Sequence, residues 1–410
     1  MTGFDVETIR ARFPALGTLH DGRPMAFFDG PGGTQVPDTV IEAVADYYRS
    51  SNANHGGPFA TSERSDAIAH DAHAAMADLL GAANPDEIKF GANMTTLTFH
   101  VSRSIGATLT PGDEVVVTTL DHQANVDPWL AMAADHGLTV RTVDIRPGDV
   151  TLDLESLDAV LGPRTKLVAF GWASNAVGTI NPVAEITAAA HDAGALVLLD
   201  AAQSVPHMPV DVGALGVDFA VLSGHKMLGP SGIGALWARR ELLDAMPPFL
   251  TGGSMISRVT LAGSEWNEVP WKFEAGTPAI AEAIGLAAAV AYLERIGMTN
   301  VRAHERALTS QAWAVLGSMP GLRLLGPDDE AAHAGVISFV VDGIHPHDVS
   351  AILDGGGVAV RAGHHCAQPV MDRYDLPATT RASFSVYNDT GDIERLADGI
   401  RSCQRTFGTA

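Results

Sequence analysis

Of lysine and cysteine, the chain of 410 residues has very little: four lysines (Lys89, Lys166, Lys226 and Lys272) and two cysteines (Cys366 and Cys403). Two cysteines cannot build a disulfide framework, which points to a reducing compartment. Cationic side chains are scarce overall, with 26 Lys+Arg against 48 Asp+Glu and a formal charge of −22. That balance repels phosphate backbones and anionic lipid surfaces, so neither nucleic acid nor membrane is expected as a partner. No uninterrupted apolar run reaches 18 residues, and the opening MTGFDVETIRARFPAL lacks the charged-then-apolar order of an export signal. A cytoplasmic protein is expected. Aromatics are only 6%, yet hydrophobic residues reach 46%, enough for a large aliphatic core.

The middle of the chain alternates β-rich apolar runs with amphipathic segments. Strands are predicted at Glu87–Phe90, Glu114–Thr118, Thr139–Val143, Lys166–Phe170, Ala195–Asp200, Asp218–Ser223 and Ile233–Trp237, with helices such as Ser65–Leu80, Pro128–His136 and Pro182–Ala193 between them. Such alternation argues an α/β fold with a mostly parallel sheet covered on both faces. After Trp237 the texture changes to an irregular stretch rich in Gly, Pro and Trp, then a long Ala-rich helix at 279–296 and a smaller α+β unit. The expected division is a large domain at 20–278 and a small domain of 1–19 with 279–410, sharing the long helix. No metal-ligand spacing occurs, and no metal is expected.

If the chemistry needs a lysine, few positions can supply it. Lys89 in EIKF and Lys166 in RTKLVAF sit at strand mouths, where a solvated amine is the ordinary reading, and Lys272 reads as a surface charge. Lys226 differs. It lies in DFAVLSGHKMLGPSGIG, three residues past a strand end, while another strand ends in Asp200. Strand ends of open α/β sheets share one ligand-binding rim, which would bring this amine and carboxylate together. A pyridoxal phosphate enzyme needs that pair: a lysine to link the cofactor and an aspartate at its ring nitrogen. The segment Gly91–Thr96, between a strand and a helix, offers a helix N-terminus for the phosphate; Ser223 and His225 can add donors, and His122 in TTLDHQAN can cover the ring.

SGHKMLGPSGIG, DAAQSVPHMPVD, LTGGSMI, FEAGTP, VRAGHHCA and RASFSVYN together resemble the group II cysteine desulfurases and selenocysteine lyases, Suf-type members of the class V aminotransferase family. The resemblance runs from Asp29 to Arg405. It implies the type I pyridoxal phosphate fold, with a seven-stranded sheet in the large domain, and a homodimer with active sites at the interface. Carried over motif by motif, Lys226 matches the cofactor-linking lysine, Asp200 the ring-nitrogen partner, His122 the stacking histidine and Gln203 the ligand of the phenolic oxygen. Thr95, Thr96, Ser223 and His225 match the phosphate turn, and Thr277 a residue reaching the neighbouring subunit's phosphate. Asn175 and Arg381 match the residues holding the substrate carboxylate, with Arg361 and His365 beside them.

Cys366, behind two histidines and an arginine in a Gly-containing loop, carries the reaction type the resemblance implies. Its thiolate would attack the sulfur of L-cysteine, leaving L-alanine and a persulfide on Cys366 for an acceptor protein or thiol; selenocysteine is a further expected substrate. The short run from Arg361 to Pro369 matches group II, whose loop lacks the long mobile insertion of group I. Cys403 reads as structural. The front half departs from the pattern and resembles a divergent desulfurase-like clade: Gly56 stands for an arginine, Phe59 for a substrate-side histidine, and Gln123 for a second histidine after His122. The alternatives are a C–S lyase, epimerase or other β-eliminating enzyme with the same cofactor, or a non-catalytic scaffold.

Overall fold

A computed structural model describes residues 4–409. Seven strands form the main sheet: β1 (Ile88–Gly91), β2 (Glu114–Thr118), β3 (Thr139–Val143), β4 (Thr165–Gly171), β5 (Leu196–Asp200), β6 (Phe219–Ser223) and β7 (Gly234–Ala238). Their order across the sheet is β1-β7-β6-β5-β4-β2-β3. All run parallel except β7, which is antiparallel to both of its neighbours. The expected seven-stranded, mostly parallel α/β sheet is therefore present.

The strands are apolar throughout because both faces are covered. Val116, Val168, Phe170, Val197, Leu199 and Leu222 point into one core. Val115, Val117, Leu167, Ala169, Leu198 and Val221, their neighbours along the chain, point into the other. The period of two is the pleat itself. The second core is roofed by α3 (Met94–Gly106) and α4 (Asp127–His136), through Leu97, Val101, Trp129 and Met132. Helix α1 (Asp38–Ser50), helix α2 (Ala60–Leu80), stopped by Gly81 in the left-handed region, and helix α5 (Val183–Asp192) all contribute to the first.

The long Ala-rich helix α6 (Ile280–Ile296) packs on α1 and α2. Its Leu286, Ala289, Val290 and Leu293 belong to the core of the seven-stranded unit. Gly285 permits the close crossing: a Cβ there would lie 2.7 Å from Val44 and 2.9 Å from Pro230. The chain then builds an antiparallel sheet of β8 (Leu322–Leu325), β9 (Val336–Val341), β10 (Arg361–Gly363) and β11 (Thr379–Ser383), in the order β8-β9-β11-β10. Helices α7 (Met298–Gly317), α8 (Pro346–Gly355) and α9 (Thr390–Phe407) cover it, and Cys403 is fully buried in its core. Among the described residues no helix is long and apolar enough to cross a membrane.

Candidate active site

Each parallel strand delivers its following loop to the same edge of the sheet. Leu120–His122 follow β2, Gly171–Asn175 follow β4, Asp200 and Gln203 close β5, and Lys226 follows β6; together they line one small pocket. The structure thus brings Lys226, Asp200, Gln203, His122 and Asn175 together from four separate stretches of chain.

Lys226 ends a single 3₁₀ turn, Gly224–Lys226. Withdrawal from water pulls its amine below the usual lysine pKa, against the opposing charge of Asp200. Asp200 is 9% exposed, and its Oδ1 accepts the Ala202 N–H at 2.9 Å. Burial pushes that carboxyl up, and Lys226 draws it back down. His122 Nδ1 accepts the Ala124 N–H at 3.0 Å, which leaves the ring proton on Nε2. Burial, then Lys226 and Arg381, lower its pKa to about 4, so the ring is neutral and presents a flat face to the pocket. Gln203 Nε2 is buried with no partner. An orphaned amide donor aimed into a pocket calls for an acceptor from a ligand.

Helix α3 opens beside this pocket. Asn93 caps it in a reciprocal capping box with Thr96. The Thr96 hydroxyl is consumed in that box, accepting from Asn93 N–H and donating to Asn93 O, whereas Thr95 is exposed. The Met94 N–H donates to Ser223 Oγ at 2.9 Å, tying the end of β6 to the start of α3. Gly234 allows this approach, because a Cβ there would lie 2.5 Å from Leu222 O and 2.8 Å from Asn93 Cα. His225 is fixed through its carbonyl, which accepts the Thr34 N–H at 2.9 Å.

Arg381, on β11, is 2% exposed. Its Nη1 donates to Asn175 O at 2.9 Å and its Nη2 to Asp29 Oδ1 at 3.0 Å, while Nε has no partner. Burial lowers this guanidinium to about 10, still a cation at neutral pH. Arg361 Nε donates to the same carboxylate at 2.9 and 3.1 Å. Gly32 makes room: a Cβ there would sit 2.7 Å from Arg361 Nη2.

Cys366 is exposed and lies within electrostatic reach of Lys226, Arg361 and Arg381. It and His365 adopt the left-handed region, at φ 54° and 55°. Two such non-glycine residues in sequence persist only where the surroundings hold them. Asn175 Nδ2 donates to His365 O at 2.6 Å, and the Gln123 N–H to Cys366 O at 2.7 Å. The His365 ring turns inward, with Nε2 2.9 Å from Thr379 Oγ1, and burial followed by Arg381 lowers its pKa to about 3.

Thr277 stands apart from this cluster, exposed, on a different cavity with Lys89 and Glu274. Phe59 is 54% exposed just before α2, and the Gly56 N–H donates to Asp66 Oδ1 at 3.0 Å. The expected solvated amine at Lys89 is corrected: the residue is 3% exposed, because β1 is covered on both faces. Lys272 likewise spends its amine on the Leu243 and Asp244 carbonyls, at 2.9 and 2.8 Å. Sequence reasoning missed two further carboxylates. Asp121, buried against the Gly171 N–H and Thr118 Oγ1, is pushed up to about 7 by burial. Asp29 clasps both arginines, and nothing local in the sequence signalled it.

Comparison with known proteins matches residues 26–396 to the family model "Aminotransferase class-V". A "Probable cysteine desulfurase" of Streptomyces coelicolor is 43% identical, covering 98% of each chain. A "Cysteine desulfurase" of Klebsiella pneumoniae is 42% identical over 99% of this chain and 100% of the relative. Among solved structures, the apo cysteine desulfurase of Thermococcus onnurineus superposes with a TM-score of 0.92 at 36% identity, covering 98% of each chain. The cysteine desulfurase CsdA of Escherichia coli gives 0.90 at 34%, covering 98% of this chain and 99% of its own. A mutant of C-DES with glycine covalently linked to its PLP cofactor gives 0.80 at 25%, covering 95% of this chain and 99% of its own.

Proposed function

The chain belongs to the class-V aminotransferase family, and from that premise we propose that it is a pyridoxal phosphate-dependent cysteine desulfurase, converting L-cysteine to L-alanine with transfer of the sulfur to Cys366. The residues present fit the cofactor. Lys226 would link it, Asp200 pair its ring nitrogen, the neutral His122 face cover its ring, and the orphaned Gln203 amide meet its phenolic oxygen. Thr95, the Thr96 turn, Ser223 and His225 would take the phosphate at the α3 N-terminus. Thr277 is proposed to serve a second copy of the chain in a homodimer. When bound, pyridoxal phosphate supplies an electron sink that weakens the bonds at the substrate's Cα and Cβ.

The protein's own residues do the rest. Arg381, through its free Nε, with Arg361 and Asn175 alongside, binds the substrate carboxylate. The Lys226 amine, its pKa lowered by burial, takes the proton at Cα and restores it there after the sulfur has left, while the proton given up by the Cys366 thiol ends on Cβ. The Cys366 thiolate attacks the substrate sulfur; the new S–S bond forms as the Cβ–S bond breaks, and its electron pair ends on Cβ with a proton. Alanine leaves, and Cys366 holds one extra sulfur. Selenocysteine is a further substrate on this reading, its weaker Cβ–Se bond cleaving without Cys366, and an acceptor protein or thiol in the cytoplasm would collect the sulfur.

The observation that carries this reading is the exposed Cys366, its carbonyl held by the Gln123 N–H, within electrostatic reach of Lys226 and Arg381. The test quantifies alanine and sulfide from L-cysteine, with and without a thiol acceptor. Cys366→Ser should lower alanine formation by about 100-fold or more while leaving selenocysteine cleavage. A Cys366→Ser enzyme that still desulfurates cysteine at the wild-type rate would make it a C–S lyase instead.

A further inference from the structure

A second lysine is buried outside the Lys226 pocket. Lys89, on β1, lines a cavity of about 280 Å³ whose wall also includes Phe90, His100, Leu250, Phe273 and Thr277. The amine donates to Phe90 O at 2.6 Å and lies 5.2 Å from the centre of the Phe249 ring. One hydrogen bond uses one of its three donors.

A buried cation requires a counter-charge. The carboxylate within its electrostatic reach is Glu274, also buried. Glu274 Oε1, however, accepts the Phe90 N–H at 2.6 Å and faces His73 Nε2 at 3.1 Å. The other nitrogen of His73, Nδ1, lies 2.7 Å from the Ala69 carbonyl. Both ring nitrogens therefore meet acceptors, which only an imidazolium satisfies. Its raised pKa agrees. His73 and Glu274 neutralise each other, and Lys89 is left as one uncompensated positive charge beside open space.

We propose that this cavity is a binding site for a small oxyanion, held by the free donors of Lys89. The site is distinct from the α3 phosphate turn and does not depend on the desulfurase reading. The occupant is a free anion, inorganic phosphate or a small carboxylate.

Inorganic phosphate is titrated by calorimetry into the holoenzyme, in which the α3 turn is filled, and into cofactor-free protein. Wild type should bind about tenfold or more tightly than Lys89→Met and Lys89→Gln at one site per chain. Persistence of that difference in the holoenzyme identifies a free anion as occupant. A difference confined to cofactor-free protein overturns the proposal, because the phosphate then only replaces the cofactor's own. Equal phosphate binding by wild type and both variants, with the variants' thermal unfolding showing them folded, overturns the proposal.

Discussion

Arg381 Nη2 and Asp29 Oδ1 lie 3.0 Å apart, so the guanidinium proposed to bind a substrate carboxylate already holds a carboxylate of the protein. Asp29 also binds Arg361, and the clasp fixes both forks before any ligand arrives. What it leaves open is Arg381 Nε, buried and without a partner. The binding role therefore depends on a planar fork that lysine cannot reproduce. Arg381→Lys should raise KM for L-cysteine by about tenfold or more with a smaller change in kcat. Steady-state kinetics decide it, and a fall in kcat at constant KM would contradict the assignment.

The Cys366 loop should be sensitive to its clamps. Asn175→Ala removes the amide that holds the His365 carbonyl at 2.6 Å, freeing a strained His365–Cys366 pair to relax. Alanine production should fall roughly tenfold, because a misplaced reacting group loses its proximity advantage. Alkylation of Cys366 by iodoacetamide should speed up in parallel. Slower turnover with unchanged alkylation would place the role of Asn175 on the substrate alone.

Acid should destabilise the cofactor-free protein steeply. His122 and His365 ordinarily titrate near 6.5 but are held at about 4 and about 3 in the fold. Between pH 6.5 and 4 the unfolded chain binds protons at both rings that the native state refuses, so stability falls as pH falls. Asp121, raised to about 7, works in the opposite direction over that range, but two rings outweigh one carboxyl. Melting temperatures from pH 7 to 4 should drop, and His122→Phe should flatten the slope. An unchanged slope in that variant would show that His122 is not buried neutral.

Lys89 carries the same dependence, stability rising with pH, into the alkaline range. Burial holds its amine at about 8 against an ordinary 10.5. Below pH 8 the fold carries the full cost of a buried charge; between 8 and 10.5 the native state has shed a proton the unfolded chain retains, so the cost is relieved. Without added anion, Lys89→Met should be more stable than wild type at pH 7 by about 1–3 kcal/mol, the gap closing above pH 8. Denaturant unfolding at pH 7 and 10 measures it, and a destabilised Lys89→Met at pH 7 would mean that Glu274 needs the amine.

Much of the sheet is legible in the chain. Glu114–Thr118 and Thr139–Val143 are strands with those bounds, and the other five shift by a residue at one or both ends. Lys226, Asp200 and His122 could be read because each lies at or just past a strand end, where local sequence and topology coincide; Gln203 and Asn175 come only from the family resemblance. Asp29 could not, since its partner Arg361 is 332 positions away and pairing at that distance leaves no periodic trace. Lys89 was misread for a related reason. In EIKF a lone charge looks like a strand mouth, yet Lys89 pairs with Leu236 of β7, and only sheet order reveals that both of its faces are covered. Periodicity identifies strands but not their neighbours.

The reversal of β7 has a consequence for reach. A parallel successor to β6 would have to leave the rim, cross a face of the sheet and re-enter from the far end. An antiparallel successor turns round within Gly224–Ile233, so the lysine rides on a strap anchored twice to one edge, at Ser223 and Gly234, which pair directly. A slip of two residues along β7 would keep every side chain on its own face, yet feed about 7 Å of slack into that strap or take it away. The core would scarcely register the change; the amine would miss its target. In this fold, strand register is the length adjustment of the arm that carries Lys226.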